Sequence, residues 1–240
     1  MLKKLVGLGV IMGTSVLVLS GCFSFIPNNK MREEAILVEK DKVKALEVDI
    51  DLGVGELTVS SGAKEWVEGK ADYNIKKLAP QVDYDVHGDT GEVDIQHKGS
   101  TKLGISNIKN TWAIQLNDSI PMDLTVETGA SLANLDLQGL QLEKLDIDAG
   151  VGDVTVNLGG DWKKSFKTSI ETGVGQTTVI LPSKVGVKLT TEKGIGSSNI
   201  EGLVSKGQGV YVNEAYDKAD VVLEVHSELG VGDITFKLDQ

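Results

Sequence analysis

The stretch "LDIDAGVGDVTVNL" (145–158) holds two short runs of alternating side chains separated by a Gly-x-Gly pair. Before Gly150 the apolar residues are Leu145 and Ile147; after Gly152 they are Val154 and Val156. Side chains of a strand alternate with period two, so residues on one face share one parity. Here the parity changes across the glycine pair. That requires an extra residue or a corner, and glycine supplies backbone angles that other residues resist. The stretch therefore predicts strand, corner, strand.

The phrase returns as "VDIDLGVGELTVS" (48–60), "TSIETGVGQTTVIL" (168–181) and "LEVHSELGVGDITFKL" (223–238). Looser copies surround Gly129 and Gly194, and "VHGDTGEVDI" (86–95) reads as a degenerate one. The predicted corners are Gly53 and Gly55, Gly150 and Gly152, Gly173 and Gly175, Gly194 and Gly196, and Gly230 and Gly232; Ser131 replaces the second glycine after Gly129. From Gly129 the first glycines follow at steps of 21, 23, 21 and then 36 residues, after a step of 76 from Gly53. Val54, Ala130, Val151, Val174, Ile195 and Val231 follow the first glycines, and read as part of one inward face. A unit of roughly 22 residues cannot bury an apolar face alone, so successive units are expected to stack into a common core. The fold class predicted is all-β: a single-stranded β-solenoid or β-roll of such repeats, like a toast rack. The alternative is an antiparallel β-sandwich of hairpins, but Asn-Gly and Asp-Gly turns are absent. "REEAILVEKDKVKAL" (32–46) is the one helix candidate, and its β-branched residues ahead of "EVDIDLG" favour a strand.

An acid precedes every first glycine by two places: Asp51, Glu127, Asp148, Glu171, Glu192 and Glu228. Parity puts them outward, and stacking would align them in a column. Unit charges about 5 Å apart repel by ~1 kcal/mol in water. The expected relief is local, through corner N–H groups or by splaying into solvent. A bound calcium ion is the sharper reading. The spacing matches neither the calcium-binding nonapeptide repeat nor the twelve-residue helix–loop–helix loop, so no metal is expected.

The first residues read as a leader. "MLKK" is basic, "LVGLGVIMGTSVLVL" is apolar but short for a membrane span, and the run ends in Leu19-Ser20-Gly21-Cys22. This resembles the lipobox of bacterial lipoproteins, which implies cleavage before Cys22 and acylation of its thiol. The division expected is a lipoprotein signal peptide over 1–21, a tether over 22–34, a toast-rack-like N-terminal β region over 35–115, and a β-repeat region over 116–240 continuous with it. Cys22 is the only cysteine, which excludes disulfides and thiolate metal sites. The net charge of −11 becomes two units more negative once Lys3 and Lys4 leave with the leader. Such a surface argues against nucleic acid as a partner.

Catalytic patterns are missing. His87, His97 and His226 lack metal-ligand spacing, no Gly-x-Ser-x-Gly elbow occurs, and the Gly-x-Gly phrases lack the third glycine and helix of a dinucleotide loop. No cofactor and no catalytic residue are predicted. Trp66, Trp112 and Trp162, with the four tyrosines, could stack on sugars but are more simply read as packing. The segment 202–220 lengthens one step and is the candidate functional loop.

"VDIDLGVGELTVSSGAKEWVEGKADYN" (48–74), "PQVDYDVHGDTGEVDIQ" (80–96) and "NTWAIQLNDSIPMDLTVETGASLANLDLQGLQLEKLDIDAGVGDVTVNL" (110–158) together resemble the toast-rack N-terminal domain of bacterial envelope proteins. The remainder is similar to the β-repeat region of cell-wall-active-antibiotic response proteins and adhesin-like domains. The resemblance implies a rack of strands and no enzyme. Some members of that family are membrane-bound negative regulators of envelope-stress signalling, with transmembrane helices ahead of the β region; here a lipobox stands in that place. The expected function is a non-catalytic, extracytoplasmic membrane lipoprotein that contacts other proteins in envelope homeostasis or stress sensing. The alternative is an adhesive or cell-wall-glycan-binding module.

Overall fold

A computed structural model describes residues 30–98 and 107–240. Cys22, the leader and most of the tether lie outside the described residues. The chain forms β1 (Arg32–Val38), β2 (Ala45–Ser61), β3 (Val67–Tyr73), β4 (Pro80–His87), β5 (Thr90–His97), β6 (Asn110–Leu116), β7 (Pro121–Asp136), β8 (Gln141–Asn157), β9 (Phe166–Leu181), β10 (Gly186–Ile200), β11 (Val204–Gly207), β12 (Val210–Val212) and β13 (Val222–Leu238). Two single 3-10 turns, at 76–78 and 216–218, are the helical content among the described residues. The structure is all-β, in one large mixed sheet that does not close. The segment 32–46 holds no helix: it is β1 and the start of β2, joined by a bend at 39–44, as its β-branched residues suggest. Arg32, expected in the tether, already pairs with Tyr73 in β1.

Six long strands carry the glycine phrase and pair in parallel, in the order β2-β7-β8-β9-β13-β10. Their register is that of the sequence alignment: Val54, Ala130, Val151, Val174, Val231 and Ile195 are neighbours in turn. The antiparallel sandwich is therefore not the architecture. Antiparallel pairing is confined to β1, β3, β4, β5 and β6 at one end and to the β11–β12 hairpin with β10 at the other. Gln208 and Gly209 turn that hairpin, both with positive φ, as a tight two-residue loop of that hand requires.

Two details of the predicted stack are corrected. The rungs do not follow chain order to the end, because β13 lies between β9 and β10. The 36-residue step between Gly194 and Gly230 is the return path to that slot. The 76-residue step after Gly53 contains a split rung: Thr90–Ile95 pairs with the first arm of β2, and Thr111–Leu116 with the second. The copy at 86–95 thus supplies a first arm only, and its Gly88 (φ +66°) turns the β4–β5 hairpin rather than a rack corner.

The core lies along the inner faces of both arms. In β8 the buried residues are Leu142, Leu145, Ile147 and Ala149 before the corner, then Val154 and Val156 after it. The parity change read from the sequence is thus real. Leu137, Leu140, Leu158, Trp162 and Leu181, in or beside the connecting loops, complete the core. Each fully buried aliphatic side chain contributes about 1.5–3 kcal/mol. All three tryptophans belong to this core.

The last strand is clasped by its end. One Asp239 carboxylate oxygen accepts the Gly160 N–H at 2.7 Å, and the other accepts the Ser183 N–H at 2.8 Å, tying β13 to the loops after β8 and β9. Burial alone would raise the carboxyl's pKa, but the Ser183 and Gly160 donors outweigh it and hold it below the usual carboxylate range. A folded pKa below the unfolded one means the clasp stabilises at neutral pH and is lost as pH falls through the folded value. Asp239→Ala is expected to cost about 2 kcal/mol at neutral pH. In denaturant titrations, the gap between wild type and variant should close towards strongly acid pH; a gap independent of pH would contradict the clasp.

Candidate interaction surface

At each corner the second glycine takes φ between +134° and +150°, from Gly55 to Gly175. A Cβ at Gly152 would lie 1.7 Å from the Ser131 carbonyl oxygen of the preceding rung, so the stack leaves no room for a side chain. The first glycines are crowded in the same way: a Cβ at Gly173 would sit 2.4 Å from the Gly150 oxygen. Two adjacent lines of bare backbone therefore run across the rungs. Ser131 holds the same place without a positive φ.

Along one side of this trough stand the six acids. Asp51, Glu127, Asp148, Glu171, Glu228 and Glu192 are in register, one per rung, and all are exposed. Asp148, Glu171 and Glu228, with the glycines between, line a shallow depression of about 450 Å³. Five of the six have no ion pair or hydrogen bond among the described residues; Glu228 lies 3.0 Å from His226 Nε2. They splay into solvent, which was one of the two expected forms of relief.

The other form, capping of corner N–H groups, falls to acids the sequence reading passed over. Asp153 Oδ1 accepts the Gln176 N–H at 3.3 Å, and Asp233 Oδ1 accepts the Ser197 N–H at 3.2 Å. Both sit just after the second glycine and reach the following rung. The legible signal was an acid in the same place in two copies, "GVGDVT" and "GVGDIT". Asn110 was also missed. It stands beside the first corner and donates from Nδ2 to the Val54 carbonyl at 2.7 Å.

Along the other side of the trough the sequence reading is overturned. In five of the six copies the residue after the first glycine points out, not in: Ala130 is exposed, Val151 is 55% exposed, Val174 47%, Val231 44% and Ile195 75%, whereas Val54 is half-buried against the core. The inward parity ends at the residue before the first glycine and resumes four residues after it, so the corner turns this position to solvent. The result is an apolar ridge parallel to the acid column. Carboxylates and aliphatic groups in separate lines make a surface suited to contact.

The remaining candidates do not assemble a catalytic set. His97 packs edge-on against Trp112 with ring centroids 5.1 Å apart, and burial holds its imidazole below the usual histidine range. His87 is exposed beside Glu92. Among the described residues no three His, Cys, Asp or Glu side chains are grouped as a metal site requires. The acids stand singly per rung, so millimolar calcium should raise the melting temperature no more than magnesium at equal ionic strength. A calcium-specific rise of several degrees would promote the column to a metal site.

The segment 202–220 is built as a hairpin tied to the stack. Asn213 donates from Nδ2 to the carbonyls of Pro182 and Val185, and its Oδ1 accepts the Val187 N–H at 3.0 Å.

The chain is thus an all-β stack of bent strands with exposed faces. The chain belongs to the toast_rack family: the model of its N-terminal domain, DUF2154, matches residues 26–180. Among solved structures it is similar to a candidate cell adhesion protein from Clostridium sporogenes, at 34% identity and a TM-score of 0.84, covering 88% of this chain and all of that one. A candidate adhesin from Bacteroides fragilis matches at 15% identity over 88% of this chain and 98% of its own, with a TM-score of 0.31. No curated protein matches the chain. None of these relatives is named as an enzyme.

Proposed function

We infer that the protein is a non-catalytic binding protein of the bacterial cell envelope, anchored by lipid at Cys22 and presenting its rack for contact with other proteins. The observation that carries this reading is the likeness to the Clostridium sporogenes protein over nearly the whole chain, at an identity high enough to extend beyond the fold. The exposed Val151–Val174–Val231–Ile195 ridge beside unpaired carboxylates supports a contact surface. The stacked rungs are the solenoid-like scaffold that holds this surface straight. The role we propose for such contacts is in envelope homeostasis or stress sensing. Nucleic acid remains an unsuitable partner for so acidic a chain.

Glycan binding is the second reading, favoured by the likeness to a candidate cell adhesion protein. Against it, Trp66, Trp112 and Trp162 are buried and cannot stack on sugars. The experiment is photo-crosslinking in intact cells from probes placed at Val174 and Val231, run beside sedimentation with purified cell-wall fragments. Discrete protein adducts, with no cell-wall binding, support the protein-contact reading. Cell-wall binding without adducts would replace it with the second.

Anchoring has its own test. Cys22→Ala should abolish labelling by a palmitate analogue, and either release the chain from membranes or leave the precursor uncleaved. A single acyl chain holds a protein only marginally, whereas two or more hold it stably. Equal labelling of both forms would contradict a lipid at Cys22.

A further inference from the structure

Four strand edges are open among the described residues, and three are guarded. Natural sheets protect edges with charge, proline or shortness, because unpaired backbone groups recruit other strands. β1 carries Arg32, Glu33 and Glu34; β4 carries Pro80, Asp83 and Asp85; β11 is four residues long. The fourth edge is the second arm of β10, Gly194 to Ile200. Its sequence "GIGSSNI" has no charge and no proline, and the β11–β12 hairpin covers the first arm only, from Val187 to Thr191. The N–H groups of Ser197 and Glu201 turn towards β13. Alternation therefore leaves the backbone groups of Ser198 and Ile200 facing the open side. Ile195, the most exposed large apolar residue among the described residues, is on this arm.

We propose that this arm is a strand-addition site, taking an extended segment of a partner protein that carries a basic residue beside Glu192. The inference rests on the protein-contact reading and names its location. Charge selects the occupant. Glu192 ends the acid column with Glu228 next to it, Glu201 closes the arm, Lys193 is the one basic residue in this stretch, and the chain is strongly acidic. A second copy would bring the same charge. A basic segment would continue the stack by one rung, cover Ile195 and set a counter-charge at the end of the column.

The probe is a synthetic peptide, Lys-Thr-Val-Thr-Val-Thr-Val-Lys, compared with the same peptide carrying Glu in place of both Lys, on the whole chain in detergent. Amide exchange at Ser198 and Ile200 should slow by about tenfold with the Lys peptide and not elsewhere on the sheet. The Lys peptide should bind about tenfold more tightly than the Glu peptide at low salt, with the difference shrinking as salt is added. Ser198→Pro removes an outward N–H where an edge tolerates proline, and should abolish binding at an unchanged melting temperature. Protection on β1 or β4 instead, or none, would overturn the proposal. So would protection of Ser198 and Ile200 that rises with protein concentration and needs no peptide, because a second copy would then be the occupant. Adducts at Val174 and Val231 without peptide binding would leave protein contact standing and remove only this site.

Discussion

Gly152→Val should destabilise the protein by about 3–5 kcal/mol, since the strain of a left-handed backbone and the overpacking each cost about 1–3 kcal/mol. Gly152 has φ +138°, where a β-branched residue is strongly disfavoured. The added Cβ would also meet the Ser131 carbonyl oxygen at 1.7 Å, and that oxygen is backbone held by the preceding rung. Neither problem can be relieved without moving the corner. The comparison is Glu143→Ala, an exposed residue paired with Lys164 at 2.9 Å, which should change stability by less than about 0.5 kcal/mol. Urea titrations of the two variants measure the difference. A loss below about 1 kcal/mol for Gly152→Val would mean that the corners are pliable, contrary to close packing across rungs.

Phe236→Ala should cost about 3–5 kcal/mol, the usual range for emptying a buried aromatic site. Phe236 is fully buried, and its register neighbours are Val179 on β9 and Ile200 on β10. A strand with a rung on either side cannot collapse into the space left behind. Ile200→Ala, on the outermost rung and only half-buried, should cost about 1–1.5 kcal/mol. Equal losses at the two positions would imply that β13, not β10, is the terminal rung.

Much of this architecture was legible because the corner writes itself into parity. Leu145 and Ile147 against Val154 and Val156 announced a bend before any contact was known, and the register of Asp148 with Glu171 followed from alignment alone. What stayed hidden was non-local. Periodicity says that rungs stack, but not in which order, so the insertion of β13 between β9 and β10 could be hinted at only by the long step before Gly230. The ridge was misread for a local reason. Val151 and Val174 share the parity of the buried residues ahead of them, yet the corner intervenes before the next inward position. Hydropathy alone treats an exposed valine and a core valine alike. The capping acids, Asp153 and Asp233, were visible as a repeated letter whose partner lies a rung away.

The rung order underlies both the fold and the open edge, for in a simple sequential coil β13 would present the edge and β10 would be covered. Paired cysteines test it directly, in a chain whose only native cysteine is first replaced by Cys22→Ala. Ser169 on β9, His226 on β13 and Thr190 on β10 stand side by side on the outward face. Adjacent strands are about 4.8 Å apart and places two rungs apart about twice that, against a disulfide reach of about 4.4–6.8 Å between Cα atoms. Ser169→Cys with His226→Cys should oxidise to an intramolecular disulfide in high yield, and Ser169→Cys with Thr190→Cys should not. The reverse result would place β10 against β9 and contradict the structure described.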